Sequence, residues 1–376
     1  MIGKDKIKSL AGLRSPAGTF LTVTLSTSRL DDWRQTVPTF LNSEFSRVVK
    51  ERDLDKKQER DLQEDVQRIL DVQNYEVDQH TEGIAVFADG AGGVFEQVAL
   101  PMRLLNRLVV EPTPYVRPLI HALSLLEPFV VVRVSRDESS VYLIDEWRVT
   151  REDDLTGPYL KSSDRETGDV PVKEYFAAAR QETLVDLHFK EVAVVLDKLL
   201  DETDARRVVL CGQHDIVANF RRALSARAAA RVTAEIPWDA AQSLNQMLVS
   251  AREAVEAARH DEMLKLAGRI REGLSAQGHG IAGFDATLAA LRRGQLQTLL
   301  VERGYRPPGW RCLVCDHTVL TPIEECPVCG GRTLRVEDAV GEAVRTAVIN
   351  GTFVEVAEQL PDLDSFGRIG GVLRFV

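Results

Sequence analysis

Four of the chain's five cysteines form two Cys-x-x-Cys pairs that stand close together in the sequence. Cys312 pairs with Cys315, and Cys326 pairs with Cys329, with ten residues between the two pairs. Each pair places two thiolates on one tight turn. Two such turns facing each other supply the four sulfur ligands that Zn²⁺ prefers in a tetrahedral site. The spacing therefore predicts a zinc site with these four cysteines as ligands.

The predicted zinc is structural, because four thiolates leave no open coordination position, and a catalytic zinc keeps one for water or substrate. Gly330 and Gly331 follow the last cysteine and can take the positive φ that a tight turn needs. His317 is a further candidate ligand, although four cysteines already complete the set. Two other interpretations stay open. One is redox chemistry, which normally uses a single Cys-x-x-Cys pair, and the other is an RNA contact through Arg311 and Arg332.

The overall charge limits the classes of partner that the chain can bind. Its net charge is −10, whereas a protein that coats nucleic acid along its whole length is usually basic. Contact with RNA would therefore have to use local basic patches. No apolar run approaches the roughly 20 residues of a membrane span, and no apolar segment of a signal peptide follows the charged start. We expect a cytoplasmic protein that does not bind membranes.

Alternation of strand and helix patterns predicts an α/β fold with three domains. The first domain, residues 1–127, contains strand patterns at 20–24 and 83–88 and ends in a region marked by several prolines. The second domain, residues 128–237, opens with a hairpin pattern. A polar loop over residues 151–170 follows, and then a long helix that begins at Pro171.

The third predicted domain, residues 238–376, is again α/β and carries the cysteines. Its helix pattern is rich in Ala, Glu and Arg, and it is followed by a strand pattern at 297–301. The cysteine segment, residues 310–333, stands between that strand and a helix over 336–349. We therefore predict a zinc ribbon inserted into an α/β domain.

Several segments resemble the archaeal and eukaryotic class-one release factor and Pelota family. Four segments on both sides of the four-cysteine ribbon are similar to the C-terminal domain of that family: Gly283–Leu291, Gly294–Val301, Val336–Ala343 and Phe366–Phe375. Three earlier segments are similar to its central domain: Leu187–Ala193, Arg207–Gly212 and Ala218–Phe220. The whole chain resembles the bacterial release-factor-like members, which include ribosome-rescue and ribosome-hibernation factors.

The resemblance implies a three-domain protein of roughly tRNA-like shape that enters the A site of the ribosome. In this family the first domain faces the decoding centre and the central domain reaches toward the peptidyl-transferase centre. The C-terminal domain contacts a translational GTPase or the base of the ribosomal stalk. The implied partners are ribosomal RNA, tRNA and a translational GTPase such as elongation factor Tu.

The chain departs from the family at the position that carries the chemistry. Hydrolytic members have Gly-Gly-Gln on a loop before the long central helix, where the Gln positions water at the peptidyl ester. In this chain that place is occupied by Asp164–Pro171, and Gly-Gly-Gln occurs nowhere in the sequence. The similar run Cys211-Gly-Gln213 follows a strand pattern and lies after the long helix, so we interpret Cys211 as a small buried side chain. The stop-codon motifs of the first domain are also not evident.

Local basic residues are the candidates for RNA contact, since Arg binds phosphate through paired hydrogen bonds. The candidates in the central domain are Arg206, Arg207, Arg221 and Arg222. On the polar loop, Lys161 and Arg165 are the candidates near the end of a tRNA. A solvated helix surface is the alternative explanation of the arginines, and His188 is interpreted as an ordinary residue of the long helix.

The sequence thus predicts a translation factor that occupies the ribosomal A site in hibernation or in rescue of stalled ribosomes, without cleaving peptidyl-tRNA. No catalytic residue is predicted, and whether the chain is an enzyme stays open. One alternative is a peptide-release enzyme that uses a non-standard loop over 151–170. Another is a protein-binding scaffold unrelated to the ribosome.

Overall fold

A computed structural model gives the fold of the chain. It describes residues 3–28, 32–52, 54–71, 77–78, 80–157, 171–239, 242–275 and 278–375, with only the helical backbone given for 171–180. By packing, the chain divides into two compact units. Unit 1 combines Met1–Leu125 with Met263–Val376, and unit 2 is Leu126–Glu262. The three-domain division and the tRNA-like arrangement remain predictions.

The described residues contain helices and strands along both units. The helices are α1 Lys4–Ala11, α2 Trp33–Glu51, α3 Lys56–Leu70, α4 Arg117–Leu125, α5 Pro171–Glu202, α6 His214–Phe220, α7 Ala226–Arg231, α8 Leu244–Glu272, α9 Phe284–Arg292, α10 Ala339–Ile349 and α11 Pro361–Ser365. The strands are β1 Phe20–Ser26, β2 Gly83–Asp89, β3 Val94–Leu100, β4 Arg107–Glu111, β5 Phe129–Arg133, β6 Glu138–Asp145, β7 Arg148–Thr156, β8 Arg207–Gly212, β9 Val232–Pro237, β10 Gly280–Ala282, β11 Leu296–Glu302, β12 Gly309–Cys312, β13 Thr318–Val319, β14 Thr333–Val336, β15 Phe353–Ala357 and β16 Ile369–Leu373. The predicted α/β class is confirmed.

The first part of unit 1 is an antiparallel sheet in the order β3-β2-β1-β4. Residues of α2 and α3 join those of β1, β2 and β4 in one apolar core. Residues 33–70 form the two helices α2 and α3, and Asp55 caps the start of α3. Its carboxylate accepts hydrogen bonds from the N–H groups of Lys57 and Gln58 at 2.8 and 2.9 Å.

The second part of unit 1 contains a mixed sheet in the order β10-β16-β11-β15. The parallel pair β11 and β15 is joined by a crossover that contains α10. A three-stranded sheet in the order β13-β12-β14 carries the cysteines and lies between β11 and α10 in the chain. This is the predicted insertion between a strand and a helix.

Buried ion pairs join the two parts of unit 1. The guanidinium of Arg117 donates to Asp338 at 2.6 Å, and both side chains are almost wholly buried. The Tyr115 hydroxyl donates to the same carboxylate at 2.6 Å. Asp338 also caps α10 by accepting from the N–H of Gly341. One carboxylate thus holds α4, β14 and α10 together, and its partners lie more than 200 residues earlier in the chain.

Unit 2 contains a five-stranded sheet in the order β7-β6-β5-β8-β9, with β5, β8 and β9 parallel. Apolar residues of α5 pack on one face of this sheet, and Met247 and Ala251 of α8 pack on the other. The predicted start of the long helix at Pro171 is confirmed.

The predicted polar loop over 151–170 is wrong at its beginning. Residues up to Thr156 belong to β7, which pairs with β6 along its length. Its side chains alternate between half-buried and exposed, as in an edge strand. Charged residues on both faces conceal the strand in the sequence. Most of the remaining loop, including Lys161 and Arg165, lies outside the described residues. No helix in the described part is long and apolar enough to cross a membrane.

Candidate metal centre

The four sulfur atoms of the predicted site converge. The Sγ atoms of Cys312, Cys315, Cys326 and Cys329 all lie within 4.8 Å of one another. Three of the separations are 3.4, 3.6 and 3.4 Å. A tetrahedral zinc with Zn–S bonds of about 2.3 Å needs sulfur atoms about 3.8 Å apart. A disulfide needs about 2.05 Å, and the four cysteines are free thiols. The arrangement therefore fits one tetrahedral metal ion.

The two Cys-x-x-Cys turns have the same backbone geometry. In the first, the N–H groups of Val314 and Cys315 point at the Cys312 sulfur at 3.4 and 3.5 Å. In the second, the N–H of Val328 points at the Cys326 sulfur at 3.4 Å. In both, the residue after the second cysteine has positive φ. Such N–H groups stabilise a thiolate, so each turn is prepared to hold sulfur in the form that a metal requires.

Glycine is used at only one of these two equivalent positions. Gly330 has φ +71°, and at the other turn Asp316 takes φ +58°. Aspartate tolerates this region better than most residues. Gly331 is needed for a different reason, because a Cβ there would lie 2.8 Å from Val314 and 3.2 Å from the Cys312 sulfur.

The charges of the thiols also favour a bound cation. Burial would raise the pKa of Cys312, but the N–H groups of Cys315 and Val314, together with hydrogen bonds from the thiols of Cys329 and Cys315, lower that pKa to about 7. Burial, together with the other sulfurs, raises the pKa of Cys315 to about 12. Without a cation, one thiolate therefore suppresses ionisation of its neighbours. Zn²⁺ bound to all four would remove this repulsion, and four thiolates would leave it no position for water.

A buried network of charges supports the first turn. The guanidinium of Arg311 donates to Asp316 at 2.8 Å and to the hydroxyl of Thr113 at 2.8 Å. It also lies 3.2 Å from Glu342. Asp316 accepts from Arg14 at 2.9 Å as well. Burial alone would raise the pKa of Asp316, but these guanidinium groups lower it, so the carboxylate stays charged. The first Cys-x-x-Cys turn is thereby connected to the first part of unit 1.

The structure argues against RNA contact through Arg311, since its side chain is only 1% exposed. His317 is not a fifth member of the sulfur cluster. Its Nδ1 lies 2.9 Å from the guanidinium of Arg292, and burial lowers its pKa. Sequence reasoning missed Arg14 and Arg345, which also holds Glu342 and the carbonyl of Ala11. The i,i+3 spacing of Glu342 and Arg345 indicates a local pair, but no sequence signal connects them to residues near the start of the chain.

The arginines proposed for RNA contact differ in solvent exposure and in their ion pairs. Arg207 is 15% exposed and bonds Glu127, and its other nitrogen donates to Glu262 at 2.7 Å. A phosphate would have to displace both carboxylates. Arg206 and Arg221 are more than half exposed and pair with Glu127 and Glu235. Arg222 is exposed. These residues remain predicted contacts, with Arg207 the least available of them.

Unit 2 has a cavity at the carboxyl ends of its parallel strands, with a volume of about 480 Å³. Its lining includes Arg133, Tyr142, Gln213 and Trp238, and none of the described lining residues is histidine or cysteine. Cys211 lies nearby, one residue before the end of β8, and is fully buried. Burial raises the pKa of its thiol to about 12, so it is not a nucleophile at neutral pH.

His188 is fully buried in the core of unit 2. Its Nε2 lies 2.9 Å from the hydroxyl of Ser139, and burial lowers the pKa of the imidazole. The residue is therefore packed inside the unit. Ser139 is itself 1% exposed, so this pair has no access to a substrate from solvent.

The resemblance of the three central-domain segments is confirmed by a family model. Residues 114–259 match bacterial archaeo-eukaryotic release factor family 10. The matched segment contains nearly all of unit 2 and the region in which hydrolytic release factors carry Gly-Gly-Gln. No curated protein sequence matches the chain.

Archaeal proteins of translation are among the solved structures to which the chain is similar. The archaeal translation termination factor aRF1 is 19% identical, with 100% of this chain and 99% of that chain covered and a TM-score of 0.25. Pelota from Archaeoglobus fulgidus is 14% identical, with 78% and 79% covered and a TM-score of 0.36. Archaeal Pelota in a ribosome-bound assembly with ABCE1 is 12% identical, with 99% and 94% covered and a TM-score of 0.41. Similarity at this level does not transfer function.

Proposed function

We propose that this release-factor-like chain is a translation factor that occupies the ribosomal A site without cleaving peptidyl-tRNA. It would act in ribosome hibernation or in the handling of stalled ribosomes. The observation that carries the proposal is a combination of two facts. Residues 114–259 match the release-factor family, yet the chain contains no Gly-Gly-Gln.

The chemistry of the described residues supports a non-hydrolytic role. Ester cleavage needs a positioned water or nucleophile together with a base within hydrogen-bond reach. In unit 2 the Cys211 thiol is buried and protonated, and His188 is enclosed with Ser139. The 480 Å³ cavity has neither histidine nor cysteine among its described lining residues. Glu138 is the one acidic residue among the described lining of that cavity, and it is exposed to solvent. These placements favour binding and steric exclusion over catalysis.

The metal has a supporting role in this proposal. The Zn²⁺ would be held by the four thiolates of Cys312, Cys315, Cys326 and Cys329. It would cross-link two turns that have little apolar core of their own. Arg311 and Asp316 would transmit that rigidity to the first part of unit 1. The ribbon would thus present a fixed surface to a partner.

Contacts with RNA would come from the exposed arginines of unit 2. Arg206, Arg221 and Arg222 would bind phosphates of ribosomal RNA, and Lys161 and Arg165 would lie near the end of a tRNA. The family resemblance further proposes a translational GTPase such as elongation factor Tu as a delivering partner. In a chain of net charge −10, such contacts would be local and sensitive to salt.

Competition at the ribosome tests this function. Purified chain is mixed with bacterial ribosomes that carry peptidyl-tRNA in the P site, and binding of aminoacyl-tRNA to the A site is measured. The proposal expects cosedimentation at low salt, loss of A-site binding in proportion to occupancy, and intact peptidyl-tRNA. Arg206→Gln with Arg222→Gln is expected to weaken cosedimentation and to make its salt dependence shallower, by about one in slope for each phosphate that the variant no longer binds. Arg252→Gln, which changes an arginine paired with Glu256, is the matched control.

The other outcomes separate the alternatives. Release of the nascent peptide would replace the proposal with a peptide-release enzyme, and Arg165→Ala and Gln181→Ala would then test the loop and the start of the long helix. A chain that stays at the top of the gradient at low salt contradicts ribosome binding. Copurification of one protein partner without ribosomal RNA would then support a scaffold.

A further inference from the structure

A small cavity in unit 1 is lined by basic residues. Its volume is about 60 Å³, and its lining includes five arginines and one histidine but no described aspartate or glutamate. These residues are Arg103, Arg107, Arg117, Arg303, Arg306 and His121. The concentration is notable because acidic residues outnumber basic ones by 57 to 47 in the chain, with histidines left out of the count. The cavity therefore gathers positive charge against the average of the molecule.

Of the five arginines, Arg117 and Arg303 are paired with a carboxylate of the described chain, and Arg107 and Arg306 are not. Arg117 bonds Asp338 at 2.6 Å, and Arg303 bonds Glu358 at 2.8 Å. For Arg107 and Arg306, no carboxylate of the described chain lies within 4.0 Å of the guanidinium. The Nε of Arg306 is buried and has no hydrogen-bond partner there. Arg107 and Arg306, both half-buried, thus bring two positive charges to the cavity without an ion pair to a described carboxylate.

The position of Arg306 is electrostatically unfavourable without an anion. Burial lowers its pKa, Arg107 and Arg117 lower it further, and Tyr115 and Asp338 offset only part of this. Buried charges in proteins are normally paired, because removing a charge from water is costly. Guanidinium groups keep their charge, and they bind oxyanions through planar pairs of N–H donors. An oxyanion in the cavity would relieve both the repulsion and the unsatisfied donor.

We propose that this cavity binds a phosphate dianion, either free inorganic phosphate or the terminal phosphate of a larger molecule. A phosphate monoester carries about −1.5 to −2 charges at neutral pH, which matches the two unbalanced guanidinium groups. The cavity holds a tetrahedral oxyanion but is too small for a nucleobase. A carboxylate or an internal phosphodiester supplies only one negative charge and leaves one arginine unmatched. This inference does not depend on the ribosome, because free phosphate alone tests it.

Equilibrium dialysis of the full chain against radiolabelled inorganic phosphate, at constant ionic strength in chloride, tests the site. The expected result is one phosphate bound per chain. Arg107→Gln with Arg306→Gln is expected to weaken binding by about tenfold or more, because charged hydrogen bonds are removed. Arg34→Gln with Arg60→Gln removes two exposed arginines of the same unit and is the matched control. The cavity variant should unfold at no lower temperature than the wild type in chloride, since it removes an unbalanced charge.

Two oligonucleotides of one sequence, with a 5′-phosphate or a 5′-hydroxyl, then compete with the labelled phosphate. Displacement by the phosphorylated strand alone identifies a terminal phosphate as a ligand. Displacement by neither strand, with free phosphate bound, identifies inorganic phosphate as the ligand. Equal displacement by both strands contradicts recognition of a dianion. Phosphate binding that is absent, or that falls equally in the cavity variant and the control, overturns the site.

Discussion

Glu111 offers a quantitative test of the buried network beside the first Cys-x-x-Cys turn. Its side chain lies at the end of β4, 8% exposed, with its Oε2 3.9 Å from the Arg311 guanidinium. Burial raises the pKa of Glu111 to about 7 from an ordinary value of 4.5, and attraction to Arg311 offsets only part of this. The folded chain therefore holds a proton at Glu111 in a pH range where the unfolded chain has released it.

The sign of the effect follows from proton binding. Between pH 4.5 and about 7 the folded state binds more protons than the unfolded state, so its stability falls as pH rises. The difference of about 2.5 between the two pKa values, at about 1.4 kcal/mol for each pH unit, amounts to about 3 kcal/mol. About 2 kcal/mol of this is lost between pH 5.5 and 8.5, most of it below pH 7, and the contribution is constant above pH 8.5.

Glu111→Gln removes this pH dependence while keeping the size of the side chain. Urea unfolding is measured with excess zinc from pH 5.5 to 8.5 in a background that contains Trp147→Phe and Trp238→Phe. The remaining tryptophans, Trp33 and Trp310, then report on unit 1 alone. Relative to the wild type, the variant should gain about 2 kcal/mol in the free energy of unfolding between pH 5.5 and 8.5.

The difference between variant and wild type cancels the pH dependence of metal binding, which both proteins share. Glu96→Gln, an exposed change on β3, is the control and should leave the pH dependence unchanged. Parallel stability curves for Glu111→Gln and wild type would refute the assignment of a buried, protonated carboxyl at this position. A variant that is less stable than wild type at every pH, with no change in slope, would mean that Glu111 acts through its pairing with Arg311.

Three further changes follow from the same structure. Metal analysis should find one zinc per chain, and Cys326→Ser should lower the zinc content and make unit 1 sensitive to protease; a full complement of zinc in that variant would contradict the four-sulfur site. Asp338→Asn should destabilise unit 1 by about 3–5 kcal/mol in urea unfolding, because Arg117 loses its buried partner; a change below about 0.5 kcal/mol, the range of ordinary surface substitutions, would mean that the pair is not buried in solution. A thiol reagent at pH 8 should leave Cys211 of the native chain unmodified and should react with it only after unfolding, and rapid labelling in the native state would contradict its burial.

The cysteine spacing was enough to predict that the four sulfur atoms converge, because the two turns are local. Cys312 and Cys315 are neighbours by spacing alone, and the intervening residues form a short antiparallel connection to the second turn. The same locality explains why the start of α5 at Pro171 is confirmed. Proline has no N–H to lose at the first position of a helix.

Long-range pairing is what the sequence did not reveal. In the sequence, Arg311 is a basic residue beside a predicted zinc ligand. Only the structure shows that its guanidinium donates to the hydroxyl of Thr113, 198 positions earlier. The strand β7 was concealed for a different reason. Its charged side chains are typical of an exposed edge strand. The amino-acid composition of such a segment, taken alone, predicts a loop. The basic cavity combines Arg107 with Arg306, and no local pattern links them.

The division of unit 1 into two sequence segments sets an order of events during synthesis. Arg117 leaves the ribosome 221 residues before its partner Asp338. At about 5–20 residues per second, that interval lasts about 10–40 s. Unit 2 is complete within the interval, because its residues, Leu126–Glu262, form one uninterrupted stretch. The nascent chain therefore carries a completely synthesised unit 2 while unit 1 still lacks its second segment. The guanidinium of Arg117 stays in water until the last quarter of the polypeptide, which contains Asp338, emerges.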